Sequence, residues 1–281
     1  MRKPVKIALS VLLVSIAGVI GLRMFYSRTR EPVYQGKALT VWLYDYLGWD
    51  TAPGEWAQAK NKAEYAVRQI GTNAIPTLLE LVSETNSASM SKLLDIWDRR
   101  IERVSFLPVW IRHSAWYKNQ PRYHNVAGEV GFKILGADAR DAVPELMSIY
   151  EKTPNYSVAA MDCQIAVSRA LIDIGPSAIP SVMEWAASSN ESRRISAVYV
   201  LSQINAQPSV VIPVLVTFLS HTNFEVRLCA VEGLGKFGAE AQRAVPELVQ
   251  TLRDPNGQVR RAANNSLKAI DPEAAARAGV K

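Results

Sequence analysis

The sequence predicts an all-α protein, an α-solenoid in which helical hairpins stack side by side. Three observations carry this. A proline-centred block recurs at near-constant spacing, an apolar triple with helical periodicity precedes it, and no stretch alternates with period two for a convincing length. The block reads Ala74-Ile-Pro-Thr-Leu78, Ala142-Val-Pro-Glu-Leu146, Ala178-Ile-Pro-Ser-Val182, Val211-Ile-Pro-Val-Leu215 and Ala244-Val-Pro-Glu-Leu248, with a degenerate copy at Phe106-Leu-Pro-Val-Trp110. The prolines stand 32, 36, 36, 33 and 33 residues apart. Proline suits the first turn of a helix, where its missing N–H has no partner to lose. Each block therefore opens a first helix.

A second helix is marked by the triples Ala63/Val67/Ile70, Gly128/Phe132/Leu135, Val167/Leu171/Ile174, Ala197/Leu201/Ile204, Ala230/Leu234/Phe237 and Ala263/Leu267/Ile270. Spacing of i, i+4, i+7 lines one helical face. Gly71, Gly136, Gly175 or Gly238 follows as a stop, Asn205 substitutes once, and Asp271-Pro272 ends the last. A helix pair of this size cannot bury its stripe alone, whereas a stack of pairs can. About six such hairpins fill residues 55–272, with 83–120 read as a degenerate repeat with a long loop.

Before the array, residues 1–6 form a basic tail and 7–26 an apolar segment, broken between Ile7 and Leu22 only by Ser10, Ser15 and two glycines. Sixteen residues reach about 24 Å, and counting on to Tyr26 brings the run to the roughly 20 residues of a membrane span. The segment reads as an uncleaved transmembrane anchor. The alternatives are a cleaved signal, for which Ser15-Ile16-Ala17 loosely fits, and a buried soluble helix. Residues 27–54 form a linker with a short capping helix, started by Thr40 and running to Leu47, and 273–281 form a tail.

The net charge of +6 does not make a nucleic-acid binder. Residues 1–30 hold six bases and no acid, and the remaining 251 carry 26 of each. The body has no net field to steer a polyanion. Two cysteines exclude a disulfide scaffold and a four-cysteine zinc site. Cys163 and Cys229 lie two repeats apart and are expected as separate thiols.

The period of about 34 residues fits ankyrin and tetratricopeptide repeats too, but the Thr-Pro-Leu-His signature is missing, and the prolines lie inside the first helix. Leu252-Arg-Asp-Pro-Asn-Gly-Gln-Val259-Arg260-Arg-Ala-Ala263 resembles the HEAT-repeat consensus. Phe224-Glu-Val226-Arg227-Leu-Cys-Ala230 repeats it 33 residues earlier, and Ser192-Arg-Arg194-Ile-Ser-Ala197 is a weaker copy. The resemblance is strong over 160–272. Short repeats of this kind look like those of bacterial HEAT-like proteins, and Tyr34-x-Gly36-Lys37-x-Leu39-x-x-Trp42-Leu43 is similar to the entry segment of membrane-bound members. The resemblance implies an arginine ladder, with Arg194, Arg227 and Arg260 bonding turn carbonyls and acids such as Asp254. It also implies a bacterial membrane protein; the six-residue amino tail is simplest to leave inside, which puts the solenoid on the periplasmic side of the inner membrane, and a cleaved leader would make it an exported module.

Chemistry-bearing motifs are sparse. Gly233-Leu-Gly235-Lys-Phe-Gly238 spells a dinucleotide fingerprint, yet it falls at a helix end, where free carbonyls repel phosphate. His113, His124 and His221 show no ligand spacing. No catalytic, metal or cofactor residue is assigned, and no cofactor is expected. Six of seven tryptophans fall within 42–116, as a terminal cap or as partner anchors. Trp110, Arg112, Trp116, Tyr117 and Arg122 are the local candidates for the second role. Positions two before each central core residue point outward: Tyr65, Val130, Arg169, Tyr199, Glu232 and Asn265. That mixed row suits a protein partner better than nucleic acid. The expected function is a non-catalytic, membrane-anchored binding scaffold; the alternative is an enzyme on a HEAT-like frame, of the kind suggested by bilin lyases.

Overall fold

The computed structural model describes residues 31–49, 54–84, 121–153 and 158–280. The predicted leader at 7–26 and the degenerate block around Pro108 lie outside the described residues.

The described chain begins with a small antiparallel ladder, β1 (Val33–Tyr34) on β2 (Lys37–Ala38). Gln35 and Gly36 turn it at φ 49° and 76°, the positive values that a tight hairpin needs at its centre. Helix α1 (Leu39–Leu47) follows directly. Thr40 is not its cap, as the sequence suggests. It sits inside the helix, and its N–H donates to the Glu31 carboxylate, which supplies both an acceptor and a charge suited to a helix start.

From there the helices alternate. The second helices are α2 (Trp56–Ile70), α4 (Pro121–Leu135), α6 (Val158–Ile174), α8 (Glu191–Ile204), α10 (Phe224–Lys236) and α12 (Gly257–Ile270). Between them run the first helices α3 (Ile75–Ser83), α5 (Val143–Lys152), α7 (Ile179–Ala186), α9 (Pro208–Thr217) and α11 (Val245–Thr251), and α13 (Pro272–Arg277) comes last. Pro76, Pro144, Pro180 and Pro246 occupy the second position of their helices, as predicted. Pro213 does not. Pro208 opens that helix a turn and a half earlier, so Pro213 falls inside it. The predicted stops hold: Gly71, Gly136, Gly175 and Gly238 have φ of 61°, 55°, 80° and 53°, and Asn205 has 47°. After each of these glycines a 3-10 segment leads into the next proline-led helix.

The second helices pack along one another, α4 on α6, α6 on α8, α8 on α10 and α10 on α12. The first helices, which are shorter, touch one another more sparsely. Helix α3 packs directly on α4. One hydrophobic cluster runs through the described array from Leu39 to Ala275. The apolar residue two after each repeat proline (Leu78, Leu146, Val182, Leu215 and Leu248) is fully buried, as are Val67, Leu171, Leu201, Leu234 and Leu267 of the triples. Each such side chain contributes on the order of 1.5–3 kcal/mol. Ile204 is half-buried, the exception among them.

Buried polar groups also join neighbours. The Asn125 amide, on α4, donates to the carbonyls of Leu81, Val82 and Glu84 at 3.1, 2.8 and 3.2 Å, which satisfies the free end of α3. The first end of the array is closed by rings. Trp42 is buried, and Trp49 meets Tyr44 and Tyr123 at 5.4 and 4.9 Å. Trp42 and Trp49 thus pack into this end of the described array.

One stretch among the described residues is long and apolar enough to cross a membrane, Ala160–Ala186, 27 residues that include an 18-residue window of mean hydropathy 1.2. The stretch comprises most of α6, the turn at Gly175 and α7, and half of that window is buried within the fold. Its apolarity is accounted for by packing on both sides of a hairpin.

Candidate functional site

Outward positions on successive second helices form a row, because each helix repeats the same register against the core. Tyr65 is 58% exposed and meets Tyr34 edge-on at 6.4 Å. Arg169, Glu232 and Asn265 are exposed or partly so, and Tyr199 is half-buried. Val130 departs from the expected row. It is buried, since α4 is flanked by α1, α2, α3 and α6. Arg122 is exposed near the start of α4, apart from the row. Trp110, Arg112, Trp116 and Tyr117 lie outside the described residues.

The row is tied together by contacts that the sequence reading missed. Arg169 Nη1 lies 3.1 Å from a Glu129 carboxylate oxygen and also engages Tyr199. Lys236 Nζ donates to the Ser202 carbonyl at 3.2 Å and to Gln203 Oε1 at 2.6 Å, linking α10 to α8. Glu129 and Lys133 on α4, and Arg169 and Asp173 on α6, are i, i+4 pairs on adjacent helices, a signal that could have exposed the cluster.

Burial pushes the Asp173 carboxyl up to about 6; Glu129 adds to this, while Lys133 and Arg169 oppose it. A folded value above the ordinary one of 3.8 means that its stability contribution is full below pH 3.8 and is lost as pH rises through about 6. Asp173→Asn is therefore expected to raise the melting temperature at pH 7.5 and to leave it unchanged near pH 3.5. Thermal melts at the two pH values check this.

The arginines of the ladder are engaged internally. Arg227 Nε and Nη2 bind both Asp254 oxygens at 2.7 and 2.9 Å, and Nη1 donates to the carbonyls of His221 and Thr222 at 2.7 and 3.0 Å. Arg260 Nη1 donates to the Asp254 and Pro255 carbonyls at 2.6 and 3.0 Å. Arg194 follows neither pattern and pairs with Glu191. This argues against a phosphate track, which needs unpaired charge.

The glycine-rich motif is structural. A Cβ on Gly233 would lie 2.7 Å from Ser202 Cβ and 3.0 Å from its Cα, and one on Gly235 would lie 2.5 Å from Ser266 Oγ. These glycines let α8 and α12 close on α10. Cys163 and Cys229 are free thiols, and burial pushes both up. Among the described residues, no group of three or more His, Cys, Asp or Glu side chains is placed to hold a metal ion.

A family model described as HEAT repeats matches residues 212–278. That stretch is HEAT-like. It comprises most of α9 together with α10, α11, α12 and α13, the part where Arg227 and Arg260 make their turn contacts. No curated protein matches the chain. Among solved structures, the crystal structure of an engineered protein is similar at 15% identity, covering 85% of this chain and 97% of its own, with a TM-score of 0.35.

Proposed function

We propose that this chain is a non-catalytic scaffold that holds a protein partner along its second-helix face and is anchored by residues 7–26. The observation that carries this reading is the row itself. Tyr65, Arg169, Tyr199, Glu232 and Asn265 share one outward register on α2, α6, α8, α10 and α12, interrupted at α4 by the buried Val130, and offer rings, charges of both signs and an amide. Tyrosine and arginine are the residue types that most often anchor protein partners. The anchor rests on the apolar run of 20 residues from Ile7 to Tyr26, where Arg23 is the lone charge, and this reading places the protein in a bacterial inner membrane with the solenoid on the far side.

A catalytic alternative has one observation in its favour, a cavity lined by Glu191, Arg194 and His221. Those groups are paired to one another, which suits holding charge more than moving protons.

A photoreactive amino acid placed at Tyr65, Tyr199 or Asn265 in cells is expected to capture one shared partner. Placed at Arg140 or Glu273, both exposed and off the row, it is expected to capture none. Equal capture at all five positions, or none at any, would defeat the scaffold reading.

A further inference from the structure

In the HEAT-like stretch a ladder arginine can take a carboxylate partner from the turn before the next second helix. Arg227 has Asp254, held edge-on through Nε and Nη2. Arg194 stands 33 residues before Arg227, and the residue 33 before Asp254 is His221. The rung is therefore written with an imidazole where the next one has an acid.

His221 keeps half of the aspartate's work. Its Nδ1 accepts from the Asn223 N–H at 3.1 Å, just as Asp254 Oδ1 accepts from the Asn256 N–H at 2.8 Å. The other half is reversed. With Nδ1 accepting, Nε2 carries the hydrogen, and it lies 2.9 Å from Glu191 Oε1. His221 thus donates where Asp254 accepts, and it can offer Arg194 nothing. Glu191, in the first turn of α8, fills in by accepting from both Arg194 and His221. Arg194 Nε, the counterpart of the atom that Arg227 gives to Asp254, is buried and has no hydrogen-bond partner among the described residues.

At this rung the seam between α7, α8 and α9 opens into a cavity of about 560 Å³. Glu191, Arg194 and His221 line it, and Met183, Val214 and Phe218 supply an apolar wall. The volume lies within the range of small-ligand sites, which combine apolar walls with a few directed polar groups.

We infer that this cavity binds a carboxylate bearing a short apolar body, with the carboxylate taking the place that Glu191 holds between Arg194 and His221. Arginine favours planar carboxylates through paired N–H donors, and the geometry one rung on shows that fit in the same fold. Glu191 is half-exposed and tethered three residues from Arg194, so it is an internal competitor that a ligand must displace. The apolar wall supplies what a bare carboxylate such as acetate lacks. This inference stands apart from the second-helix row and does not need it.

The carboxylate could be a free acid or a peptide terminus, and the probes separate the two. Full-length protein is titrated with 4-methylpentanoate, with an acetylated tetrapeptide ending in leucine, and with the amide of each. At least one acid is expected to bind saturably and its amide not to bind. Glu191→Gln should tighten that binding by roughly fivefold, by removing the competitor. His221→Asp should weaken it by about tenfold or more while raising the melting temperature, because the introduced carboxylate completes the rung with Arg194. Arg194→Gln should abolish it. A stronger response to the peptide assigns the site to protein termini, and a stronger response to the free acid assigns it to a small molecule. Amides binding as well as acids, no binding by either acid, or affinity unchanged in His221→Asp would overturn the inference.

Discussion

Arg227→Met is expected to destabilise the last helix pairs by about 3–5 kcal/mol, the usual cost of leaving one member of a buried ion pair alone. The Arg227 and Asp254 side chains are 11% and 6% exposed, and the guanidinium satisfies two carbonyls besides both carboxylate oxygens. The hydrogen bond from Arg227 holds the Asp254 carboxyl below its ordinary range, with further help from the Asn256 N–H. A depressed folded value means stability that is present above the unfolded value of about 4 and is lost as pH falls below it. The penalty of the substitution should therefore be largest near neutral pH and shrink in acid. Contacts in a repeat array act on neighbours, so the loss should be local. Hydrogen exchange is the suitable measurement: amides of α10 and α12 should lose protection at pH 7 while those of α6 keep theirs. Uniform loss along the chain, or none, would show that the pair does not hold this seam.

Gly233→Ala is expected to cost about 1–3 kcal/mol, even though alanine is the better helix former. The added methyl would meet Ser202 Cβ and Cα, and a backbone carbon cannot turn aside as a side-chain tip can. Helices α8 and α10 would have to separate, which would strain Leu215 as well, 3.0 Å from the same methyl. Adding Ser202→Gly removes the nearest clash and should recover part of the loss. A double-mutant cycle in denaturant titrations reads this coupling. Additive costs would mean that the two helices do not meet as described.

The repeat itself was legible because its markers are local. Proline at a helix start, glycine or Asn205 at a left-handed stop, and apolar residues four and three apart each report a backbone requirement of one or two turns. The arginines recur at 194, 227 and 260, and the likeness to HEAT repeats implied their bonding to turn carbonyls and Asp254; Arg227 and Arg260 follow it and Arg194 does not. Pro213 misled because it keeps its place in the repeat while Pro208, outside the repeat pattern, begins the helix. Thr40 misled because its helix is capped from across the hairpin by Glu31, a contact that no local pattern encodes. Val130 is buried by neighbours specific to α4, which an averaged register cannot anticipate. The Glu191, Arg194 and His221 group went unread because its meaning lies in a departure from the repeat. A histidine is conspicuous only once the aspartate 33 residues on is known to grip an arginine.

The two kinds of joint differ in what they do under load. Where Asp254 is clasped by Arg227, adjoining units are riveted by a charged fork that resists shear. Where His221 faces Arg194, the clasp is a single half-exposed Glu191 beside a hollow. Under tension such a stack is expected to lengthen first at the rung between Arg194 and His221, leaving the units joined through Arg227 and Asp254 to move as one stiff arm.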